Sequence, residues 1–487
     1  MRMNNMGRRH FLSGSLALPA FYSGAAIVAP GAQTDIALVR EILTGLHPGL
    51  YRYSSPAEIN AGLARLEQQW AAQPGLAARY LNLSRFLATI KCGHSYANFF
   101  NQSDAVKEQL FGGKTRLPFA FKWIDEEMVV LQDQSGTASL PRGTVVKAVN
   151  GVRTGDILAR LLPFARADGN NNGKRRALLS VTGTDRFESF DIFYGLLYGA
   201  PTGGEHHLRI RGPGAGGDRL VTLPALTLGK RQGFIKRVDY RGDQPVWQWT
   251  VRDDGVAVLT MDSWGLYDSK WNWEAWLNGK LDSLSDAKGL IVDIRENEGG
   301  NDCGDVILSR LANKEIDKPT ANRLVRYAKV PASLNTVLDT WDDSFRDWGE
   351  KVERFDDRYF RLKQWEGGDT VPAKTPQIGV PVAVLTSPQN SSATFQFAFL
   401  CKRSGLATLV GETTGGNQRG INGGAFFFAR LPESAIEFDV PLVGYFPNGN
   451  MPDAGVTPDI AVRLSAKDIG SGLDRQLETA AAHLLKR

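Results

Sequence analysis

Between Asp35 and about Leu110 the apolar residues recur every three to four positions: Ile36, Leu38, Val39, Ile42 and Leu43, then Ile59, Leu63 and Leu66, then Leu81, Leu83 and Leu87. That period predicts a run of amphipathic helices. Ser54-Ser55-Pro56 supplies a start signal, because a serine hydroxyl can accept a free backbone N–H and proline suits the first helical turn. From about Thr115 the pattern changes. Met128 to Leu131 and Thr144 to Val149 read as strands on either side of the turn-rich stretch Gln132 to Arg142, and Asn150-Gly151 predicts a tight hairpin. Asp156 to Leu162 returns to a helical spacing. Ala165 to Arg175, with Asn170-Asn171-Asn172-Gly173, reads as a polar loop, and so does Gly212 to Gly217.

Beyond Gly255 continuous apolar strands alternate with helices: Val256 to Met261, Trp271 to Leu284, Gly289 to Ile294, Cys303 to Leu311, Pro381 to Leu385 and Ser392 to Lys402. Strands apolar on both faces predict a mainly parallel sheet covered by helices, an α/β core. Phe426-Phe427-Phe428 and Trp264 read as core or pocket wall.

The chain has 487 residues, more than one core usually supports, and an ordinary globular composition with 42% hydrophobic and 22% charged residues. Of its formal net charge of +5, Arg2, Arg8 and Arg9 contribute three units within residues 1–32, which hold no acid. The remainder carries no basic excess of the kind nucleic-acid binding requires. Residues 1–32 have a basic start and a weakly apolar run broken by proline, which predicts a signal peptide and an exported protein, periplasmic or secreted. Arg8-Arg9-His10-Phe11-Leu12 resembles the twin-arginine export signal. Three cysteines, Cys92, Cys303 and Cys401, form no CxxC pair, and no His/Asp/Glu cluster has metal-ligand spacing, so neither a disulfide framework, a metal nor a cofactor is expected. No other apolar run reaches membrane-spanning length.

Two segments are placed for chemistry. Asp293 to Gly300 follows a strand and precedes a helix, where a glycine pair lets backbone amides approach a ligand as an oxyanion hole requires; a plain strand-to-helix turn gives the same pattern. Ser391-Ser392-Ala393 opens an apolar helix, and position alone leaves either serine as a mere cap.

These segments resemble motifs of the carboxy-terminal processing, or tail-specific, serine peptidase family. Asp293 to Gly300 is similar to its Asp-Leu-Arg-x-Asn-x-Gly-Gly, Ser392-Ala393 to its nucleophile, Gly411 to Gly416 to its Gly-Glu-x-Thr-x-Gly, and Gly455 to Asp459 to its Gly-Val-x-Pro-Asp. Leu140 to Leu162 resembles the second half of a PDZ domain. The resemblance implies a crotonase- or ClpP-like α/β core, with Ser392 as nucleophile and oxyanion donors on Gly299, Gly300 and Ala393. Where one branch keeps a catalytic lysine, this chain has Asn417. Lys91 to Tyr96 instead resembles the Gly-His-Ser/Thr segment of the tricorn-like and interphotoreceptor-retinoid-binding-protein-like branch, which makes His94 the general base. His47 is the rival; His206 and His207 read as loop residues and His483 as part of the terminal helix. Asp453, just before the last motif, and Glu412 are the candidate acids to orient the histidine.

The expected map is a signal peptide at 1–32, a helical domain at 33–112, a PDZ-like β-rich domain at 113–235 and a catalytic core at 236–487. The expected substrate is a peptide or unfolded chain. A non-catalytic binding protein and a hydrolase of small esters or amides are the alternatives.

Overall fold

The computed structural model describes residues 34–214, 216–235, 238–363 and 369–486; the expected signal peptide lies outside them. The central feature is a six-stranded sheet in the order Ile460–Ala461, Thr408–Gly411, Val382–Thr386, Gly289–Asp293, Val256–Thr260, Gln248–Val251. All neighbours run parallel except the last pair. Alternation within the strands explains why apolar residues fill both faces. Ala257, Leu259, Leu290, Val292, Val384 and Leu409 pack with Trp264, Leu277, Ile307 and Phe397. Val256, Val258, Ile291, Leu385 and Val410 point the other way, onto Ala480, Ala481 and Leu484 of the terminal helix Arg475–Leu484. Each such buried aliphatic side chain contributes about 1.5–3 kcal/mol, which is why a doubly covered parallel sheet tolerates so few polar positions. The observed helices Trp273–Asp282, Gly304–Leu311 and Ser392–Arg403 fall within one or two residues of their expected ends.

The N-terminal period is realised as four helices, Asp35–Leu46, Pro56–Ala72, Leu76–Thr89 and Asp104–Phe111. Ser55 and Glu58 form a full capping box on the second, with Pro56 at its first position. An antiparallel sheet follows, in the order Phe119–Ile124, Glu127–Asp133, Val145–Val149, Glu205–Arg211, Arg219–Pro224. Its hairpin at Asn150-Gly151 has φ of 49° and 84°, and joins Val145–Val149 to Val152–Arg153. Helix Thr154–Leu161 comes next.

Three features differ from the sequence expectation. Within the supposed polar loop Ala165 to Arg175 a helix begins, Asn172–Leu178, capped by Asn171. His206 lies buried in strand Glu205–Arg211 rather than in a loop, because the strand alternates strictly between buried and exposed positions. A second six-stranded sheet, antiparallel and centred on Asn422–Arg430 and Glu437–Pro447, has no counterpart in the sequence reading. Its buried face, with Phe427, Phe438 and Val440, joins one continuous core with Ile42, Leu87, Phe121 and Phe190. The N-terminal helices, the first antiparallel sheet and this second sheet therefore share a hydrophobic cluster. No helix among the described residues is long and apolar enough to cross a membrane.

Candidate active site

Strand Val382–Thr386 ends in a turn that Asn390 holds: its Oδ1 accepts from Ser387 N at 2.7 Å, and its Nδ2 donates to Asn297 O at 3.1 Å. The chain then enters helix Ser392–Arg403. Ser392 has φ of 51°, the left-handed region that an L residue with a side chain rarely occupies. Strain of this kind costs about 1–3 kcal/mol and persists only where the surroundings enforce it. Here it resembles the sharp strand-to-helix turn that lifts a nucleophilic serine out of its helix. Ser391 occupies the cap position, but its hydroxyl does not cap; it donates to Glu298 O at 3.1 Å. The two serines therefore differ in kind: Ser391 Oγ is bonded to a backbone carbonyl, and Ser392 carries the unusual backbone.

Facing Ser392 is the loop after strand Gly289–Asp293. A side-chain carbon on Gly299 (φ 112°) would sit 2.9 Å from Ser392 Cβ and 3.0 Å from Ala393 N, so only glycine permits this approach. Gly300 (φ 139°) lies against the Trp264 backbone just as tightly. Buried Asn297 fixes the loop: its Nδ2 donates to Met261 O at 2.7 Å, and its Oδ1 accepts the Gly299 amide at 2.9 Å. Of the three expected oxyanion donors, Gly299 thus has its N–H engaged by Asn297, the Ala393 amide lies against Gly299 beside Ser392, and Gly300 packs on the Trp264 backbone.

His94 is half-buried, with Nδ1 buried and without a hydrogen-bond partner among the described residues. Its ring lies 5.9 Å from that of Phe426, so the second sheet forms the wall behind it. Burial lowers its pKa, opposed chiefly by Asp168. The Asp168 carboxylate accepts the amide of Gly93 at 2.8 Å, and Arg166 Nη1 donates to Gly93 O at 2.7 Å. His47 is fully buried, with Nε2 2.8 Å from Ser95 Oγ. Burial, with Arg52 beside it, drives the His47 pKa down to about 3. The rival histidine is thus tied to the loop that carries His94.

Neither candidate acid is bonded to the buried Nδ1 of His94. Asp453 accepts from Asn170 N at 3.1 Å, Asn170 Nδ2 at 2.6 Å and Asn417 Nδ2 at 2.7 Å. Asn417 Nδ2 also reaches Asp168 O at 3.3 Å, so Asp453 connects to the His94 loop through two intermediaries. Asn417, where a lysine would stand in the other branch, is buried in this amide network. Glu412 is paired through its backbone with Thr386. The charges acting most strongly on His94 are Asp168, Arg166, Glu298 and Lys174, none of which the sequence singles out. Lys174 Nζ donates to Glu298 Oε1 at 2.8 Å and to Gln389 O at 2.7 Å.

Comparison with known proteins bears on the fold and on one segment of the chain. Residues 255–462 match the model of Peptidase family S41. Among solved structures, mature CPAF complexed with lactacystin is 16% identical, covering 93% of this chain and 96% of that chain with a TM-score of 0.62. Mature CPAF itself is 16% identical, covering 93% and 97%, with a TM-score of 0.59. At that identity the likeness is one of fold. No curated protein matches.

Proposed function

We propose that this chain, whose residues 255–462 match the model of Peptidase family S41, cleaves peptide bonds through an acyl-enzyme on Ser392 with His94 as general base. One observation carries the assignment: the positive φ of Ser392 at a helix start, pressed against the Gly299 turn. Ser392 Oγ attacks the scissile carbonyl carbon while His94 takes its proton. Negative charge gathers on the carbonyl oxygen, toward the amides of Gly300 and Ala393, with Gly299 supplying the close backbone approach. His94 then returns the proton to the leaving amine, and water attacks the acyl ester by the same steps in reverse roles. Asp168 is the strongest carboxylate influence on the imidazole, and Asp453 braces the segment behind it.

The fold class we propose in finer terms is a crotonase- or ClpP-like core with a PDZ-like module formed by the sheet from Phe119 to Pro224. That module would take an extended peptide or chain end and direct it to Ser392, which makes the enzyme a processor of unfolded or C-terminal segments. The signal-like sequence of residues 1–32 supports an activity outside the cytoplasm. Labelling with a fluorophosphonate tests the core of the reading. We expect one modified residue, Ser392, in the parent and none in Ser392→Ala. A parent that does not label favours a binding protein on this fold, and one that labels but turns over only small esters favours the narrower hydrolase.

A further inference from the structure

Glu298 occupies a position that the family resemblance leaves open, between Asn297 and the glycine pair. Its carboxylate takes Lys174 Nζ at 2.8 Å on one oxygen and Arg166 Nη2 at 3.6 Å on the other. Its backbone carbonyl accepts Ser391 Oγ at 3.1 Å. From Lys174 the connection continues to the nucleophile loop, through Gln389 O at 2.7 Å and Gln389 Oε1 at 3.2 Å. From Arg166 it continues to the histidine loop, through Gly93 O at 2.7 Å and the ring of Tyr96, over which the guanidinium lies at 4.3 Å. Three loops that come from distant parts of the sequence, around His94, Gly299 and Ser392, are each bonded to this one group of charges.

We propose that the Arg166, Glu298 and Lys174 cluster is a positioning device for catalysis, a clamp that holds the nucleophile, oxyanion and base loops in a single register. The proposal rests on the Ser392 and His94 assignment above. An exposed ion pair would hold little, since water and salt screen it and ordering two long side chains offsets the attraction. These cations are not exposed: the Lys174 side chain is 4% accessible and that of Arg166 20%. Taking away the carboxylate leaves two largely buried cations facing each other, a cost that only movement of their loops can relieve. Catalysis is sensitive to such movement, because a displacement of about 1 Å between reacting groups can cost on the order of a hundredfold. Lys174 is a clamp and not the serine's base: its ammonium is spent on Glu298 and Gln389, and a general base must be free to take a proton. Asn171 anchors the segment that supplies it, donating to Thr414 O at 2.9 Å and Gly416 O at 3.2 Å.

The test uses full-length Glu298→Gln, Lys174→Met, Lys174→Arg and the Glu298→Gln/Lys174→Met double variant, beside Ser392→Ala. Read out are the rate of fluorophosphonate labelling and kcat and KM on an unstructured peptide, with near-UV circular dichroism for folding. We expect Glu298→Gln and Lys174→Met each to lower labelling rate and kcat by roughly 10- to 100-fold with KM nearly unchanged. The double variant should be no worse than the poorer single one, as befits groups that act as a unit, and Lys174→Arg should recover part of the loss. Glu298→Gln is nearly isosteric and half exposed, so it keeps the test readable if Lys174→Met misfolds. Parent-like labelling of Glu298→Gln beside an unlabelled Ser392→Ala overturns the clamp and leaves the peptidase reading standing. Lys174→Met as inert as Ser392→Ala, with Glu298→Gln near normal, also overturns it by making Lys174 the base. Labelling of Ser392→Ala at the parent rate removes the site assignment itself, and the clamp falls with it.

Discussion

Ser391 and Ser392 show how far one residue's surroundings decide its chemistry. Both are serines at one helix start, yet Ser391 Oγ is bonded to Glu298 O, and Ser392 alone has φ of 51°. Ser392→Ala should fold normally and lose turnover by several orders of magnitude, down to the roughly 10³–10⁴-fold over water that remains when a triad member is removed. Ser391→Ala should lose far less; the opposite ranking in a labelling assay would move the nucleophile by one position. His94 adds a pH signature. Only its neutral form can accept a proton, and burial pushes its pKa below the ordinary histidine value of about 6.5. The acid limb of kcat/KM should therefore have its midpoint below pH 6.5 and vanish with the rest of the activity in His94→Ala. A limb centred above 6.5, or a folded His94→Ala with near-normal turnover, would count against the assignment.

At the scale of elements, the parallel strands and their helices were legible because apolar continuity and length both pointed one way, and nearer the N-terminus Ser55 marked a helix start and Asn150-Gly151 a hairpin. The second antiparallel sheet was not: its long strand Glu437–Pro447 is buried at successive positions and so shows no alternation, and its outer strands are only two or three residues long. Arg166, Asp168 and Lys174 were missed for another reason: they lie in an Asn- and Gly-rich stretch whose polarity looks like solvation. Their partners, Gly93, Glu298 and Gln389, are remote in sequence, so no local pattern could show that these polar groups are buried and paired. The motif serine and histidine were legible only through resemblance to a family; spacing alone left Ser391 and His47 as equals.

His47 illustrates what such an element contributes to stability. It caps the C-terminus of helix Asp35–Leu46, and its ring is shut in against Ser95. With burial and Arg52 holding its pKa at about 3, the folded protein takes up this proton far less readily than the unfolded chain, which protonates near 6.5. Stability from this group is thus present above pH 6.5 and is lost as pH falls toward 3. Between pH 7 and pH 5 the loss is roughly 2 kcal/mol at 1.36 kcal/mol per pKa unit. Buried Asp439, raised to about 7, and Glu188, raised to about 8, each act with the opposite sign, so the informative quantity is a difference between proteins. Urea unfolding of the parent and His47→Gln at pH 5 and pH 7 should show a shallower dependence in the variant, and equal dependences would mean that His47 is protonated in the folded state.

On the scale of the whole molecule, the family match covers residues 255–462, but the proposed chemistry does not fit inside them. Ser392 and its oxyanion loop belong to that region; His94 comes from the N-terminal helical part, and Arg166, Asp168 and Lys174 from the part between. The hydrophobic cluster has the same distribution, joining Ile42 and Leu87 to Phe121 and to Phe427 and Val440. A fragment of residues 236–487 would therefore expose the inner face of its antiparallel sheet as well as lose its base. Alone, it should label with fluorophosphonate at least a hundredfold more slowly than the full chain, by the scale of losing a triad member. Because the contacts across these regions are noncovalent, adding residues 33–235 as a separate chain should restore labelling at Ser392. The same addition carrying His94→Ala should restore the fold, seen by circular dichroism, and not the labelling. Full-rate labelling of the fragment by itself would show that the base lies within 236–487, and the division of the site between distant parts of the chain would be wrong.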